Sequence, residues 1–584
     1  MGSLDQPVLD YEVLIVGAGF AGVCALHHIR ERFPSWRVKV LEGSSGVGGT
    51  WYTNRYPGAR VDTESLTYQF SWDKELLNEW HWKETFSTQP DVLKYIERVC
   101  EKHDLHKDIQ LNTRIKSAQW LANTDAWLLT DLEGAQYRSR FFVSCLGFLS
   151  LPTLPLIPGI EDFKGQAFHT SAWPAHLDIK KDLAGRKVGV IGTGATGIQT
   201  ITAIAKESEV ESLTVFQRTA NWSAPLRNTE ISKEQMRKHA EDYDKIFGQC
   251  ASTSSGFLYQ ADPRKSSEVT DEERTALWDK LYDGQGFGKW LGVFKDTYTD
   301  RDANRLYSEY MTAKIRARVN DPEVASSLVP RDHGFGMRRV PLESGYFEIY
   351  NQPSVHLVDL RKTPIETVNS SGIRTKDDRI HELDILIFAT GFNAITGSFS
   401  AIDFHGKDYR PLLGHNKDAI WMDHKPRTFL GIMAPAMPNF FMVLGPHQPF
   451  GNGTRSLENA VDVICNMLQH IFDHNYTYAE AKPEAVQTWG EHVVDCSKGL
   501  LGNEVDSWMT GVNTNVKGKQ ERSIARYGPV TGSIFVVEKM GEMGEHDEDK
   551  SNAEFGAGSW LRRNRTAAFT MDQMSTATKL ETII

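Results

Sequence analysis

The stretch Tyr11-Glu-Val-Leu-Ile-Val-Gly-Ala-Gly-Phe-Ala-Gly22 decides the fold. Its first six residues are a short, largely apolar run, the pattern of a buried parallel strand. Gly17, Gly19 and Gly22 follow in Gly-x-Gly-x-x-Gly spacing. Residues 23–32 then place Ala25, Leu26 and Ile29 on one helical face, and a second strand, 38–41, ends at Glu42. Glycines at these places let the backbone approach a pyrophosphate, which rests on the helix N-terminus. Glu42 stands where an acid accepts hydrogen bonds from a ribose.

The pattern recurs downstream. Arg186–Ile191 reads as a strand, Gly192, Gly194 and Gly197 repeat the spacing, and a helix runs to about Lys206. The next strand, Leu213–Phe216, ends in Gln217, Arg218 and Thr219. No carboxylate there repels a 2′-phosphate, and Arg218 is placed to clamp one, which predicts NADP over NAD. The plain alternative is a surface arginine. Leu383–Phe392 echoes Phe141–Phe148, so each unit closes on a similar strand–glycine element. The fold class expected is α/β, with two dinucleotide-binding, Rossmann-like domains. Residues 225–335, polar and helical in pattern, form a helical insertion in the second. The expected division is 1–150 with 385–545, 151–224 with 336–384, the insertion 225–335, and a polar, poorly ordered tail 546–584.

Bulk properties agree with a globular chain of several domains. Of 584 residues, 40% are apolar and 24% charged. A net charge of -11 argues against a nucleic-acid partner. Six scattered cysteines with no Cys-x-x-Cys argue against a disulfide framework and a dithiol centre, and no metal site is expected. Gln6 does not suit a myristoylation signal, and no apolar run is long enough to span a bilayer. A cytoplasmic, reducing compartment is the expectation.

Four further stretches carry possible chemistry. Residues 46–62 combine Gly48-Gly49 with Trp51, Tyr52 and Tyr56, then Arg60 and Asp62; Asp62 reads either as a cap for the following segment or as a functional carboxylate. Residues 163–174, Phe-Lys-Gly-Gln-Ala-Phe-His-Thr-Ser-Ala-Trp-Pro, look like a connector between the two glycine loops. That position makes His169 and Trp173 candidates for coupling rather than bond-making, with a satisfied structural histidine as the alternative. Arg338-Arg339 between glycines and Pro341 suggests anion handling or a solvated basic turn. The 447–452 loop, with Phe450, and the 508–516 loop join Phe392 and Asn393 as candidate substrate lining.

Two of these stretches resemble a known family. Phe163-x-Gly165-x-x-x-His169-x-x-x-Trp173-Pro174 and Gly49-x-Trp51-x-x-x-x-Tyr56-Pro57-Gly58-x-x-x-Asp62 are both intact. Together they resemble the type I Baeyer–Villiger monooxygenases, in the branch of the phenylacetone and cyclohexanone enzymes and their fungal relatives. The resemblance runs from about residue 10 to about residue 520.

It implies FAD, NADPH and O2, with a small-molecule ketone as substrate, bulky in this branch, and an ester or lactone as product through a C4a-peroxyflavin. FAD is then held by Gly17, Gly19, Phe20, Gly22 and Glu42, by Gly49, Thr50, Trp51, Tyr52, Arg60, Asp62 and Tyr68, and by Ile115. NADPH is held by Gly192, Thr193, Gly194, Gly197, Ile198, Gln199, Arg218, Thr219, Arg338 and Trp508. Arg339 matches the active-site arginine, positioned by Asp62. A permanently charged guanidinium suits an oxyanion. The family usually has lysine at the place of Arg338, and the loop after Trp508 is longer than in bacterial relatives. The alternative within the same scaffold is an N- or S-oxygenating flavin monooxygenase. A pyridine nucleotide–disulfide reductase lacks its cysteine pair here, and a non-catalytic flavin-binding protein has no need of Asp62 and Arg339.

Overall fold

In the computed structural model, residues 9–253, 255–448, 451–523 and the backbone of 553–555 are described. Two parallel-cored sheets organise the chain. The first uses β1 (Tyr11–Val16), β2 (Val38–Leu41), β3 (Ile109–Gln110), β4 (Ile115–Leu121), β5 (Ala126–Asp131) and β6 (Gln136–Ser144). The second uses β7 (Gln166–His169), β8 (Lys187–Ile191), β9 (Ser212–Gln217), β10 (Val355–Asp359) and β11 (Ile385–Phe388). Two late strands, β12 (Asp403–His405) and β13 (Phe440–Met442), return to the first sheet. Its order is β12-β4-β5-β6-β1-β2-β3, with β13 also on β6. The second runs β10-β9-β8-β11-β7, all parallel.

Val13, Leu14 and Ile15 of β1 are fully buried. A strand covered on both faces needs a continuous apolar run, and each such side chain contributes about 1.5–3 kcal/mol. Helix α1 (Phe20–Arg32) follows β1, and α2 (Ala195–Glu207) follows β8. The insertion is helical: α3 (Lys233–Ala251) and α4 (Asp271–Asp283) both start on capping boxes, and α5 (Arg301–Arg316) and α6 (Pro322–Leu328) start on aspartate caps. Helix α7 (Gly453–Asp473) buries Leu457, Val461, Ile464, Leu468 and Ile471 on one face.

Three expectations are corrected. The handover at 384/385 falls too early, because β11 lies inside the second sheet between β8 and β7. The stretch 163–174 is not a plain connector: its residues 166–169 are the edge strand β7, paired with β11. Of the tail expected to be poorly ordered, residues 553–555 form a strand beside Ala479–Ala481; the rest lies outside the described residues, as does Phe450. Among the described residues no helix is long and apolar enough to cross a membrane, and no group of side chains has metal-binding geometry.

Candidate functional site

Both glycine loops end in helices whose N-termini carry no side-chain cap and no acid in the first turn. Such ends present unpaired N–H groups and a partial positive charge. Within the second loop two glycines have different duties. Gly192 has φ +108, and a Cβ there would stand 2.4 Å from the Ala389 carbonyl oxygen. A Cβ on Gly194 would meet nothing within 4 Å. That open space at the helix N-terminus is room for a pyrophosphate, so the residues fit a dinucleotide. In the first loop Gly19 faces Gly49 so closely that a Cβ on Gly49 would come within 2.9 Å of the Gly19 Cα. The first loop and the 48–62 segment thus share one wall.

Glu42 accepts hydrogen bonds from the Ala18 and Ser44 amides, each at 2.7 Å. It pins the loop, and each oxygen has further lone-pair capacity. Thr50, Trp51 and Tyr52 lie in one short helix, Thr50–Thr53. Trp51 Nε1 donates to the Tyr68 hydroxyl at 3.0 Å, and burial pushes Tyr68 up to about 12. The Tyr52 hydroxyl is bonded to Ser45. Arg60 is held by Glu84 at 3.1 Å. The side chains of Phe20, Ile115 and Ile198 are packed in the core, so their part in any cofactor site is limited to backbone.

The 56–62 segment reaches across to the second unit. Tyr56 donates to Gln199 Oε1 at 2.9 Å, and Gln199 Nε2 donates to the Arg60 carbonyl at 3.2 Å. Gln199 sits in α2, directly after the second glycine loop. Asp62 follows, 6% exposed. Its Oδ2 accepts from Arg339 Nη2 at 2.7 Å, across 277 residues. Asp62 Oδ1 and Arg339 Nη1 are both buried and have no protein partner. Burial raises the Asp62 carboxyl, and the Arg339 charge offsets only part of that. A cation held on one side by a carboxylate, with a second N–H group left over, is an anion-stabilising device. Tyr56 belongs to the family signature, but its contact with Gln199 has no signal in the local sequence.

Two arginines, Arg218 and Arg338, come close enough for their charges to interact. Arg338 pairs with Asp332 at 3.4 Å, and Arg218 Nη1 donates to Thr514 Oγ1 at 3.3 Å. Burial lowers Arg338, Asp332 opposes this, and the neighbouring Arg218 charge adds to it. Thr193 Oγ1 donates to the Thr219 carbonyl at 3.0 Å, tying the loop to the end of β9. Lys519, not singled out in the sequence, is buried nearby in the loop that follows Trp508. Trp508 stacks on Phe148 and packs against Ala394 and Ile395.

His169 lies at the end of β7 and is buried. Its Nδ1 accepts from the Ser171 amide at 3.1 Å, so Nε2 carries the proton and donates to the Gly391 carbonyl at 3.1 Å. Burial lowers its pKa, which keeps the ring neutral. Trp173 packs edge-on against Phe168 at 5.0 Å and lines a cleft of about 230 Å³ with Arg55, Pro57 and Leu177. Both therefore sit on seams, one within the second sheet and one against the 55–57 segment.

A family model described as flavin-binding monooxygenase-like matches residues 10–228. The chain is 40% identical over 527 residues to 2-oxo-Δ3-4,5,5-trimethylcyclopentenylacetyl-CoA monooxygenase of Pseudomonas putida, covering 88% of this chain and 93% of that one. It is 36% identical over 513 residues to cyclohexanone 1,2-monooxygenase of an Acinetobacter species, covering 88% and 91%. The crystal structure of OTEMO in complex with FAD and NADP superposes with a TM-score of 0.84 at 36% identity, covering 91% of this chain and 97% of that one. The chain belongs to the Baeyer–Villiger monooxygenases, within the flavin-binding monooxygenases.

Proposed function

We propose that this protein is an FAD-dependent, NADPH-consuming Baeyer–Villiger monooxygenase that converts a ketone to an ester or lactone. The observation that carries the reading is the Asp62–Arg339 pair with its unpartnered Nη1, set beside the contact between the two dinucleotide cradles. FAD, when bound, supplies the redox and oxygen-activating chemistry. The first glycine loop, Glu42 and the 49–68 segment would hold it. The second loop, Arg218, Thr219 and Arg338 would hold NADPH. Gln217-Arg218-Thr219 at the end of β9 carries no acid, and its arginine together with Arg338 favours the 2′-phosphate.

The residues then divide the remaining work. Arg339 holds the carbonyl oxygen as negative charge builds on it, through a planar guanidinium with several N–H donors. Asp62 orients that guanidinium with one oxygen. His169 holds the end of β7 on the Gly391 carbonyl and Trp173 faces the 55–57 segment of the first unit, so both are assigned to coupling and not to the bond-making step. Ketone-stimulated NADPH oxidation, with mass spectrometry of products from cyclic, linear and polycyclic ketones, tests the reading. A thioether in the same panel separates it from heteroatom oxygenation: the expected result is a lactone or ester from at least one ketone.

A further inference from the structure

The run Val512-Asn-Thr-Asn-Val-Lys-Gly-Lys519-Gln-Glu-Arg522 is polar enough to read as a solvated loop. Lys517 and Gln520 are exposed as that predicts, yet Lys519 between them is only 5% exposed. Its Nζ donates to the Ala394 carbonyl at 2.6 Å. Among the described residues no ion pair with a carboxylate accompanies it, and burial pushes the ammonium down to about 8. A buried cation on a single carbonyl is a poor stabilising device, since an apolar side chain of the same length costs less there. Its value lies in what it ties together.

Three side chains bind carbonyls of the short segment leaving β11. His169 takes Gly391 at 3.1 Å, Asn513 takes Phe392 at 3.3 Å, and Lys519 takes Ala394. The Asn513 amide donates to the Lys519 carbonyl at 2.9 Å, so the two loop anchors are braced against each other. Thr514, between them, is the group that Arg218 reaches. The residue after Ala394 is Ile395, at φ +65, a conformation that strains a β-branched side chain. Such strain persists only where neighbours hold the segment in place.

We propose that Lys519 is a positioning residue whose hold on the Ala394 carbonyl fastens the 507–523 loop to the 391–394 segment, presenting Trp508 and Arg218 together on the second dinucleotide cradle and so coupling NADPH oxidation to oxygen transfer. The inference rests on the function proposed above and adds to it a residue outside the family signatures.

The test compares FAD-loaded wild-type protein with Lys519→Met and Lys519→Arg. Methionine keeps length and apolar packing and removes the donor. Chymotrypsin, which cuts beside Trp508 and Met509, reports on the loop without turnover. Lys519→Met is expected to lose the protection that NADP+ gives this loop. Its KM for NADPH should rise about 10-fold, equivalent to about 1.4 kcal/mol, with a much smaller change in kcat. Hydrogen peroxide released per NADPH should rise, the Tm should hold, and Lys519→Arg should restore coupling and protection. Wild-type protection, KM and peroxide ratio in Lys519→Met would overturn the proposal. So would equal losses in both variants that follow a fall in Tm. If wild-type protein shows no ketone-stimulated NADPH oxidation, the proposed function fails instead, and the protease comparison still decides whether Lys519 holds the loop.

Discussion

Replacing Arg339 by alanine separates the two halves of the reaction. The Arg339 side chain as a whole is one third exposed and touches Asp62 through a single hydrogen bond of 2.7 Å. Its Nη1 has no protein partner. Loss of one preorganised donor to an oxyanion costs about 2.7–4 kcal/mol, a factor of roughly 100–1,000 in turnover. Stability responds less. Stranding a buried carboxylate costs about 3–5 kcal/mol if it stays ionised. Burial already raises the Asp62 carboxyl, and removing the Arg339 charge that partly offsets this raises it further, which favours the neutral form and lessens that cost. Arg339→Ala is therefore expected to fold and to bind cofactor. Stopped-flow reduction by NADPH should fall far less than product formation measured by gas chromatography. Arg339→Lys, which keeps the charge but not the planar fork, should lie between. In the Arg339→Ala background, Asp62→Ala should add little, because Asp62 acts through the arginine. Ketone oxidation by Arg339→Ala within about 10-fold of wild type would refute this, since it would leave less than about 1.4 kcal/mol for the group.

Three other perturbations follow from the same geometry. Gly194→Ala should leave the Tm unchanged and abolish NADPH binding, whereas Gly192→Ala should destabilise the fold, because only the latter methyl meets backbone; thermal melts and NADP+ titration separate them. His169→Ala should lower the ratio of product to NADPH consumed with little effect on flavin reduction; an unchanged ratio would confine His169 to holding β7 against Gly391. His27 stacks on Trp72 with ring centroids 3.9 Å apart, and burial, then the His28 and His103 charges, lower it to about 3. The unfolded chain, titrating near 6.5, binds the proton first, so His27 favours folding above about pH 6.5 and that contribution is lost as pH falls from there towards 3. Between pH 7 and 5 the loss is about 2 kcal/mol by this linkage. Denaturant unfolding of His27→Phe, which keeps the stack, should show a correspondingly smaller loss.

Much of this architecture can be read from local pattern. β1, the glycine loop, α1 and β2 lie within a few residues of their expected bounds, because an apolar run, fixed glycines and helical periodicity agree there. β7 was not visible: Gln166-Ala-Phe-His169 is four residues of mixed polarity, and only its pairing with β11 makes it a strand. The domain handover was misplaced for a related reason. β11 is a buried apolar run like any other, and nothing in it says which sheet it joins. The Asp62–Arg339 pair joins residues 277 apart, so only the family resemblance could suggest it. Lys519 was hidden by its neighbours, since a lysine in a polar run reads as solvated whether or not the loop folds back.

The central claim is that this site inserts one oxygen atom from O2 beside a ketone carbonyl at the expense of NADPH. Turnover of a cyclic ketone under isotopically labelled O2, followed by mass spectrometry, tests it directly. The account predicts a lactone carrying a single labelled oxygen in its ring, formed only when NADPH is present. Unchanged ketone alongside NADPH oxidation and peroxide release, across the whole ketone panel, would contradict it.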